Sequence, residues 1–207
     1  MTKKIIYKGA EAEICLSTYL DKRVVEKRRI KKSYRIDEID YYLISSRTKE
    51  ESKLISEARA YGVSVPIIFD VDLIEGVITM QYVNGKRIKD ILNDLDEKER
   101  RRICNKIGEG IARLHNNGVI HGDITTSNMI LLDDKIHFID FGLGCKSNEI
   151  ETKGVDLHVL MEAFESTHSP HPRCFEYVME GYKKICGVKA DMVVKKIEDI
   201  VKRGRYR

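Results

Sequence analysis

Asp123, Asn128 and Asp140 are the residues of this chain whose types and spacing point most directly to chemistry. They stand in the stretch 121–142, HGDITTSNMILLDDKIHFIDFG, separated by five and then twelve positions, with two short apolar runs between them. Phosphoryl transfer from a nucleoside triphosphate needs such a set. One carboxylate orients the incoming hydroxyl or water, while an amide oxygen and a second carboxylate hold Mg²⁺ on the phosphates. The Asp-Phe-Gly at 140–142 alone would carry little information, because tripeptides recur by chance. Two halves at this separation, each flanked by strand-forming residues, carry much more.

Those side chains need elements to hold them. The hydrophobic content of 42% and charged content of 34% are those of a soluble globular chain. At 207 residues it can form one large domain or two small lobes and bury about 70% of its unfolded surface. The net charge of +4 is too mild to argue nucleic-acid binding from the total; only the placement of the charges could do so. Five cysteines, at 15, 104, 145, 174 and 186, are scattered and form no Cys-x-x-Cys, which argues against a disulfide framework or thiolate metal site and for a reducing interior. No apolar run approaches the span of a bilayer and no signal-peptide core opens the chain, so a cytoplasmic protein without a membrane segment is expected.

The first half reads as strand-rich. Ile5–Tyr7, Ala12–Leu16 and Arg23–Val25 are short runs broken by Gly9 and by Leu20-Asp21-Lys22, suggesting an antiparallel meander. Residues 46–61 take a helical period, with Glu51, Ile55 and Ala58 on one face and Gly62 as a stop. Pro66 opens two more strands, Ile67–Val71 and Gly76–Tyr82, before a joint at Val83-Asn84-Gly85. Helices dominate afterwards. Asp96 and Glu99 form a capping box, and Ile103, Ile107, Ile111 and Leu114 form a stripe ending at Gly118. Three more helical patterns follow: Lys153–Phe164, Phe175–Ile185 closed by Gly187, and Val193–Ile200. The expected fold is α+β, with a β-rich N-lobe (1–82), a helical C-lobe (83–201) and a basic tail (202–207). His158, His168 and His171 surround a Pro-containing turn at a spacing that suits no common metal site, and read as surface or cap residues.

The protein-kinase signature joins a His-Arg-Asp-Leu-x-x-x-Asn loop to a later Asp-Phe-Gly, and residues 121–128 match its first half except for Gly122 in place of Arg. Such a site also needs a lysine on the third strand for the phosphates and a glutamate from the next helix. Lys27, ending Val24-Val25-Glu26-Lys27, is the candidate. Its alternative role is as one more charge in a basic run with Arg28, Arg29, Lys31, Lys32 and Arg35. Glu51 lies on the apolar stripe, where an inward carboxylate needs a cation partner; Glu50 and Glu57 are its neighbours in type. The phosphate-covering loop would be Gly9-Ala10-Glu11-Ala12. It has one glycine, and its Glu11 is set to contact a cation, a neighbouring lysine or a partner instead of phosphate.

These residues resemble a known family. Gly9-Ala10-Glu11-Ala12, the Lys27–Arg35 run, Arg47 with Glu51, the His-Gly-Asp-x-Thr-Thr-Ser-Asn loop, Ile139-Asp140-Phe141-Gly142-Leu143 and the final Lys202-Arg203-Gly204-Arg205-Tyr206-Arg207 are similar to the small atypical serine/threonine kinase of the KEOPS complex, the PRPK family. The resemblance runs over essentially the whole chain. It implies a miniature bilobal protein-kinase-like fold and an ATP-dependent Ser/Thr-type protein kinase and ATPase that acts in threonylcarbamoyladenosine modification of tRNA. The implied partners are the tRNA-modifying threonylcarbamoyl-transferase subunit, the other KEOPS subunits, and tRNA through the basic tail (Lys202, Arg203, Arg205 and Arg207). In archaea the modifying subunit and the kinase can be one fused polypeptide. Carried over, Asp123 is the catalytic carboxylate, and Asn128 and Asp140 hold Mg²⁺, or Mn²⁺. Lys27 neutralises phosphate charge and Glu51 orients it. Adenine lies between Ile14 and Val25 above and Ile130 below, its edge bonded near Gln81 and Tyr82, just after the gatekeeper Met80.

The departures from an ordinary kinase are informative too. Gly122 removes the arginine that would pair with a phosphorylated activation loop. The segment from Gly142 to Asp156 is short, and no Ala-Pro-Glu occurs. Thr125 and Thr126 stand where a kinase carries a lysine near the transferred phosphate. A dedicated partner, self-phosphorylation or hydrolysis fits this better than broad signalling, with slow intrinsic turnover. Two other classes remain open at this level. One is a small-molecule phosphotransferase of the aminoglycoside or choline kinase type, which shares the His-Gly-Asp loop. The other is a non-catalytic nucleotide-binding scaffold.

Overall fold

The computed structural model describes residues 4–204. The chain divides into two compact units. One holds the chain up to Ser56 together with Pro66–Val83; the other holds Glu57–Val65 and the chain from Asn84 onward.

The first unit is a five-stranded antiparallel sheet and a long helix. Strands β1 (Lys4–Lys8), β2 (Ala12–Tyr19), β3 (Lys22–Arg29), β4 (Ile68–Asp72) and β5 (Val77–Gln81) lie in the order β1-β2-β3-β5-β4. The β2–β3 hairpin closes on two residues, Leu20 and Asp21, both at positive φ (47° and 60°), which is the twist that a two-residue hairpin demands. Strand β3 continues to Arg29, so the basic run begins inside the sheet.

Helix α1 runs Asp37–Ala60 and starts nine residues before the periodic pattern at 46. The reason is physical. Ile36, Ile39, Tyr41 and Tyr42 are exposed, so this turn shows no apolar stripe. Its acidic residues Asp37, Glu38 and Asp40 favour the positive end of the helix dipole instead. From Ile44 onward a buried stripe at spacings of four and three appears, formed by Ile44, Thr48, Glu51, Ile55 and Ala58. Gly62, at φ 76°, follows the end of the helix as expected.

The second unit holds β6 (Lys86–Arg87), α2 (Ile88–Ile91), α3 (Glu97–Asn116), β7 (Val119–Ile120), β8 (Met129–Leu132), β9 (Lys135–Phe138), β10 (Cys145–Lys146), α4 (Ile150–Thr167), α5 (Cys174–Cys186) and α6 (Lys189–Gly204). Two short sheets, β6-β8-β9 and β10-β7, carry the loops between them. Helix α3 begins where the capping box was read: the Asp96 side chain accepts from the Glu99 N–H at 2.8 Å, an N-cap worth about 1 kcal/mol. Ile103, Ile107, Ile111 and Leu114 are all buried, each contributing about 1.5–3 kcal/mol. Helices α3 and α5 cross at main-chain contact. A Cβ on Gly108 would meet Val178 O at 1.9 Å, and one on Gly181 would meet Asn105 O at 2.0 Å, so only glycine fits on either side.

The basic tail differs from its expectation. Lys202 and Arg203 continue α6, and Arg203 pairs with Glu151 at 2.6 Å. Arg205 and Arg207 lie outside the described residues.

Candidate active site

Strand alternation and helix period bring the first half together. Residues 27 and 29 of β3 point to one face, residue 28 to the other. Lys27 Nζ lies 2.6 Å from Glu51 Oε1, with the two side chains only 7% and 1% exposed. The Lys27–Glu51 pair read from the sequence is therefore formed. Arg29 was not singled out in that reading, yet its Nη2 lies 2.6 Å from the other oxygen of Glu51. The signal that could have found it was the two-residue period of the strand. On the opposite face Arg28 meets exposed Glu75.

The same sheet carries the other nucleotide candidates of this unit. Ile14 pairs with Lys27, Leu16 with Val25, and Val25 with Met80. Directly opposed residues share a face, so Ile14, Val25, Lys27 and Met80 stand on one side. In the loop Gly9–Glu11 between β1 and β2, Glu11 pairs with Arg47 of α1 at 2.8 Å, and Lys32 bonds the Ala10 carbonyl. Its partner is thus an arginine of the same unit. The Gln81 N–H donates to Ile67 O at 2.8 Å and the Tyr82 N–H to Arg23 O at 3.4 Å. Gln81 ends β5 and Tyr82 follows it.

In the second unit the loop 121–128 is held from below. Gly122 has φ 82°, and a Cβ there would lie 2.1 Å from Leu143 O. No side chain fits, which explains the missing arginine. Asp156 of α4, 2% exposed, accepts from the Gly122 N–H at 2.8 Å, the His121 N–H at 3.1 Å and His115 Nε2 at 3.0 Å. Burial alone would raise its carboxyl. The His115 bond and charge, the nearby His121 and the Gly122 amide outweigh that and hold it below the usual carboxylate range. His121 stacks on Phe141, with centroids 4.5 Å apart, and bonds Ile139 O at 3.1 Å. Burial pushes its imidazole below the ordinary histidine value. Sequence reasoning passed over Asp156, which lies 33 positions beyond Asp123 in no recognisable motif.

The chemistry-bearing groups sit on this support. The Asn128 amide nitrogen donates to Asp123 Oδ2 at 3.0 Å and to the Asp123 carbonyl at 2.9 Å. That orientation keeps the amide oxygen out of the bond, and oxygen is the atom a hard divalent cation takes. The Ile139 N–H donates to Asn128 O at 3.0 Å, tying the residue before Asp140 to the end of the loop. Asp140 has φ 65° and its Oδ1 accepts from the Gly142 N–H at 3.2 Å. Ile130 follows in β8, half-buried.

Thr126 is buried and shares its hydroxyl with His168 Nε2 at 2.9 Å, while His168 Nδ1 meets Asn93 Oδ1 at 2.7 Å. His168 caps α4, as one of the two expected roles has it, but it is 0% exposed and not a surface residue. The polar partners on both ring nitrogens are what let it be buried.

Among the described residues no three His, Cys, Asp or Glu form a metal cage. Two protein oxygens, from Asn128 and Asp140, fit Mg²⁺, which keeps waters and phosphates as its other ligands. Only residues 143–149 separate the Asp-Phe-Gly from α4, and β10 within them pairs with β7.

Comparison with known proteins agrees with this geometry. The model of the protein kinase domain family matches residues 18–169. The chain is 45% identical to the KEOPS complex subunit Bud32 of Pyrococcus abyssi, over 99% of this chain and 96% of that one. It is 47% identical to a probable bifunctional tRNA threonylcarbamoyladenosine biosynthesis protein of Methanothermobacter thermautotrophicus, covering 98% of this chain but only 36% of that longer one. In fold it is similar to the Rio2 kinase of Chaetomium thermophilum, solved as an ADP/Mg²⁺-phosphoaspartate complex. The TM-score is 0.62 at 16% identity, over 97% of this chain and 70% of that one. With its kinase-type fold and loops, the chain belongs to the protein kinase domain family and, within it, to the Bud32 family of KEOPS subunits.

Proposed function

We propose that this chain is a Mg²⁺- and ATP-dependent Ser/Thr-type phosphotransferase with ATPase activity, serving a KEOPS complex in threonylcarbamoyladenosine modification of tRNA in the cytoplasm. The observation that carries the reading is the Asn128 amide locked on Asp123 beside a strand that delivers Asp140. Asp123 positions the hydroxyl or water that attacks the γ-phosphate, and Asn128 and Asp140 hold the metal. When bound, Mg²⁺ neutralises charge that develops on the phosphates. Lys27, fixed by Glu51, neutralises phosphate charge from its own unit.

The loop geometry supports a dedicated role over broad signalling. Position 122 cannot carry the arginine of a phosphorylation switch, and residues 143–149 leave little surface for docking a peptide. Thr125 and Thr126 stand where a kinase carries a lysine, and a neutral hydroxyl supplies no cation to the transition state. Turnover is therefore slow without help. The threonylcarbamoyl-transferase subunit of the complex and tRNA are the partners in this reading, with Lys202 and Arg203 of α6 and the basic residues beyond it offered to tRNA phosphates. The name of the Pyrococcus relative and those of the longer relatives support it.

The test is ATP consumption and phosphate destination, with and without the partner subunit and tRNA. Asp123→Asn should lower kcat by about 10²–10⁴-fold, and Asp140→Ala should abolish Mg²⁺-dependent turnover. Equal inactivity of wild type and both variants under every condition would overturn the enzymatic reading.

A further inference from the structure

Glu51 is gripped by two cations. Lys27 and Arg29 each approach a different oxygen at 2.6 Å, and Glu51 is 1% exposed, so water cannot take the place of either. A lone lysine–glutamate pair is under tension when a triphosphate arrives. The ammonium must serve both the phosphate and the carboxylate, and a buried carboxylate left without its cation is costly. Here one oxygen of Glu51 has a cation of its own.

That second cation is fixed at its backbone, while its buried Nε has no hydrogen-bond partner among the described residues. The Arg29 main-chain N–H donates to Gly76 O at 3.0 Å, fixing the end of β3 against the turn before β5. Its side chain is 7% exposed, and guanidinium keeps its charge at every physiological pH, whereas a buried ammonium does not reliably do so. Strand alternation puts it on the face of Lys27, while Arg28 between them is spent on exposed Glu75. Arg29 thereby gives α1 a tie to β3 that does not pass through the lysine.

We propose that Arg29 is a positioning residue for phosphate recognition: it neutralises and fixes Glu51, so that Lys27 meets a nucleotide triphosphate without stripping the helix carboxylate of its partner. The proposal rests on the nucleotide reading given above. It makes α1 stay docked on the sheet in the absence of nucleotide, and it makes the role of Arg29 specific to phosphates.

Calorimetric titration of the whole chain with Mg²⁺-ATP and, separately, with adenosine tests this. In Arg29→Gln, ATP binding should weaken by about tenfold, while adenosine changes less than about twofold. Arg29→Lys, which returns charge without the planar fork, should fall between, with a loss of about threefold for ATP alone. Equal weakening of ATP and adenosine, or unchanged ATP binding, would overturn the proposal. Should Arg29→Gln fail to fold, Arg29→Lys decides on the same two ligands: a loss confined to ATP supports the role, and no loss or an equal loss ends it. Wild type that binds neither ligand would overturn the nucleotide reading itself, a result that is distinct from any difference among variants.

Discussion

Glu51 in the first unit and Asp156 in the second are both buried carboxylates, and the two are held in opposite ways. Glu51 is gripped by the tips of two long side chains, Lys27 and Arg29. Asp156 is gripped by two main-chain N–H groups, those of His121 and Gly122, and by the short imidazole of His115. Side-chain tips can trade partners by rotating a few bonds; main-chain amides move only if the loop moves. The first arrangement suits a lysine that must share itself with a ligand. The second suits a loop whose carboxylate and amide must already be in place before any ligand arrives. The difference shows which half of the machinery is adjustable and which is scaffold.

Removing the scaffold carboxylate is the most direct way to break that contrast. Asp156→Ala strands two buried amides and His115 at once and should cost about 3–5 kcal/mol in chemical denaturation. Asp156→Asn should be nearly as harmful, because both oxygens already accept and one would become a donor facing a donor. Retention of wild-type stability in the alanine variant would mean that the loop is held by something else. Gly122→Ala probes the same loop from its backbone. With φ 82° and a Cβ 2.1 Å from Leu143 O, it should lose about 1–3 kcal/mol by the same measurement. A neutral result would show that the loop yields more readily than its hydrogen bonds imply.

The smallest expected effect is a pH dependence that belongs to the scaffold side alone. Burial, with His171 and Lys89 nearby, pulls the His168 imidazole down to about 4. The unfolded chain takes up that proton near the ordinary histidine value while the folded chain resists it. Stability is therefore full above about pH 6.5 and declines as pH falls towards 4. His168→Gln should flatten this part of the profile. Identical slopes in wild type and variant would remove His168 from the account of how Thr126 is held.

The fold was legible where periodicity and punctuation coincide. The strands broken by Gly9 and Leu20-Asp21, the capping box at Asp96 and the stripe from Ile103 to Leu114 all appear in the structure. The first turns of α1 were not legible, because an exposed, acidic turn with outward-facing Ile39, Tyr41 and Tyr42 has no apolar period to read. At the site, residues with a fixed local spacing came through, since Asp123 and Asn128 stand on one short loop. Arg29, Asp156 and His168 did not. Each acts through a long-range contact, to a helix 22 residues on, to a loop 34–35 residues back and to a threonine 42 back; the two-residue period of β3 puts Arg29 on the face of Lys27, but the spacing does not name the partner of any of the three.

One feature of Asp140 sets a limit on how robust this protein can become. Its backbone sits at φ 65°, a region that glycine enters without steric penalty and that aspartate, with its Cβ, enters at a cost. Selection for heat tolerance acting on that position alone would drift towards glycine, gaining durability as it discards the carboxylate proposed to hold the metal. The aspartate there marks a place where endurance has been yielded to keep a working part.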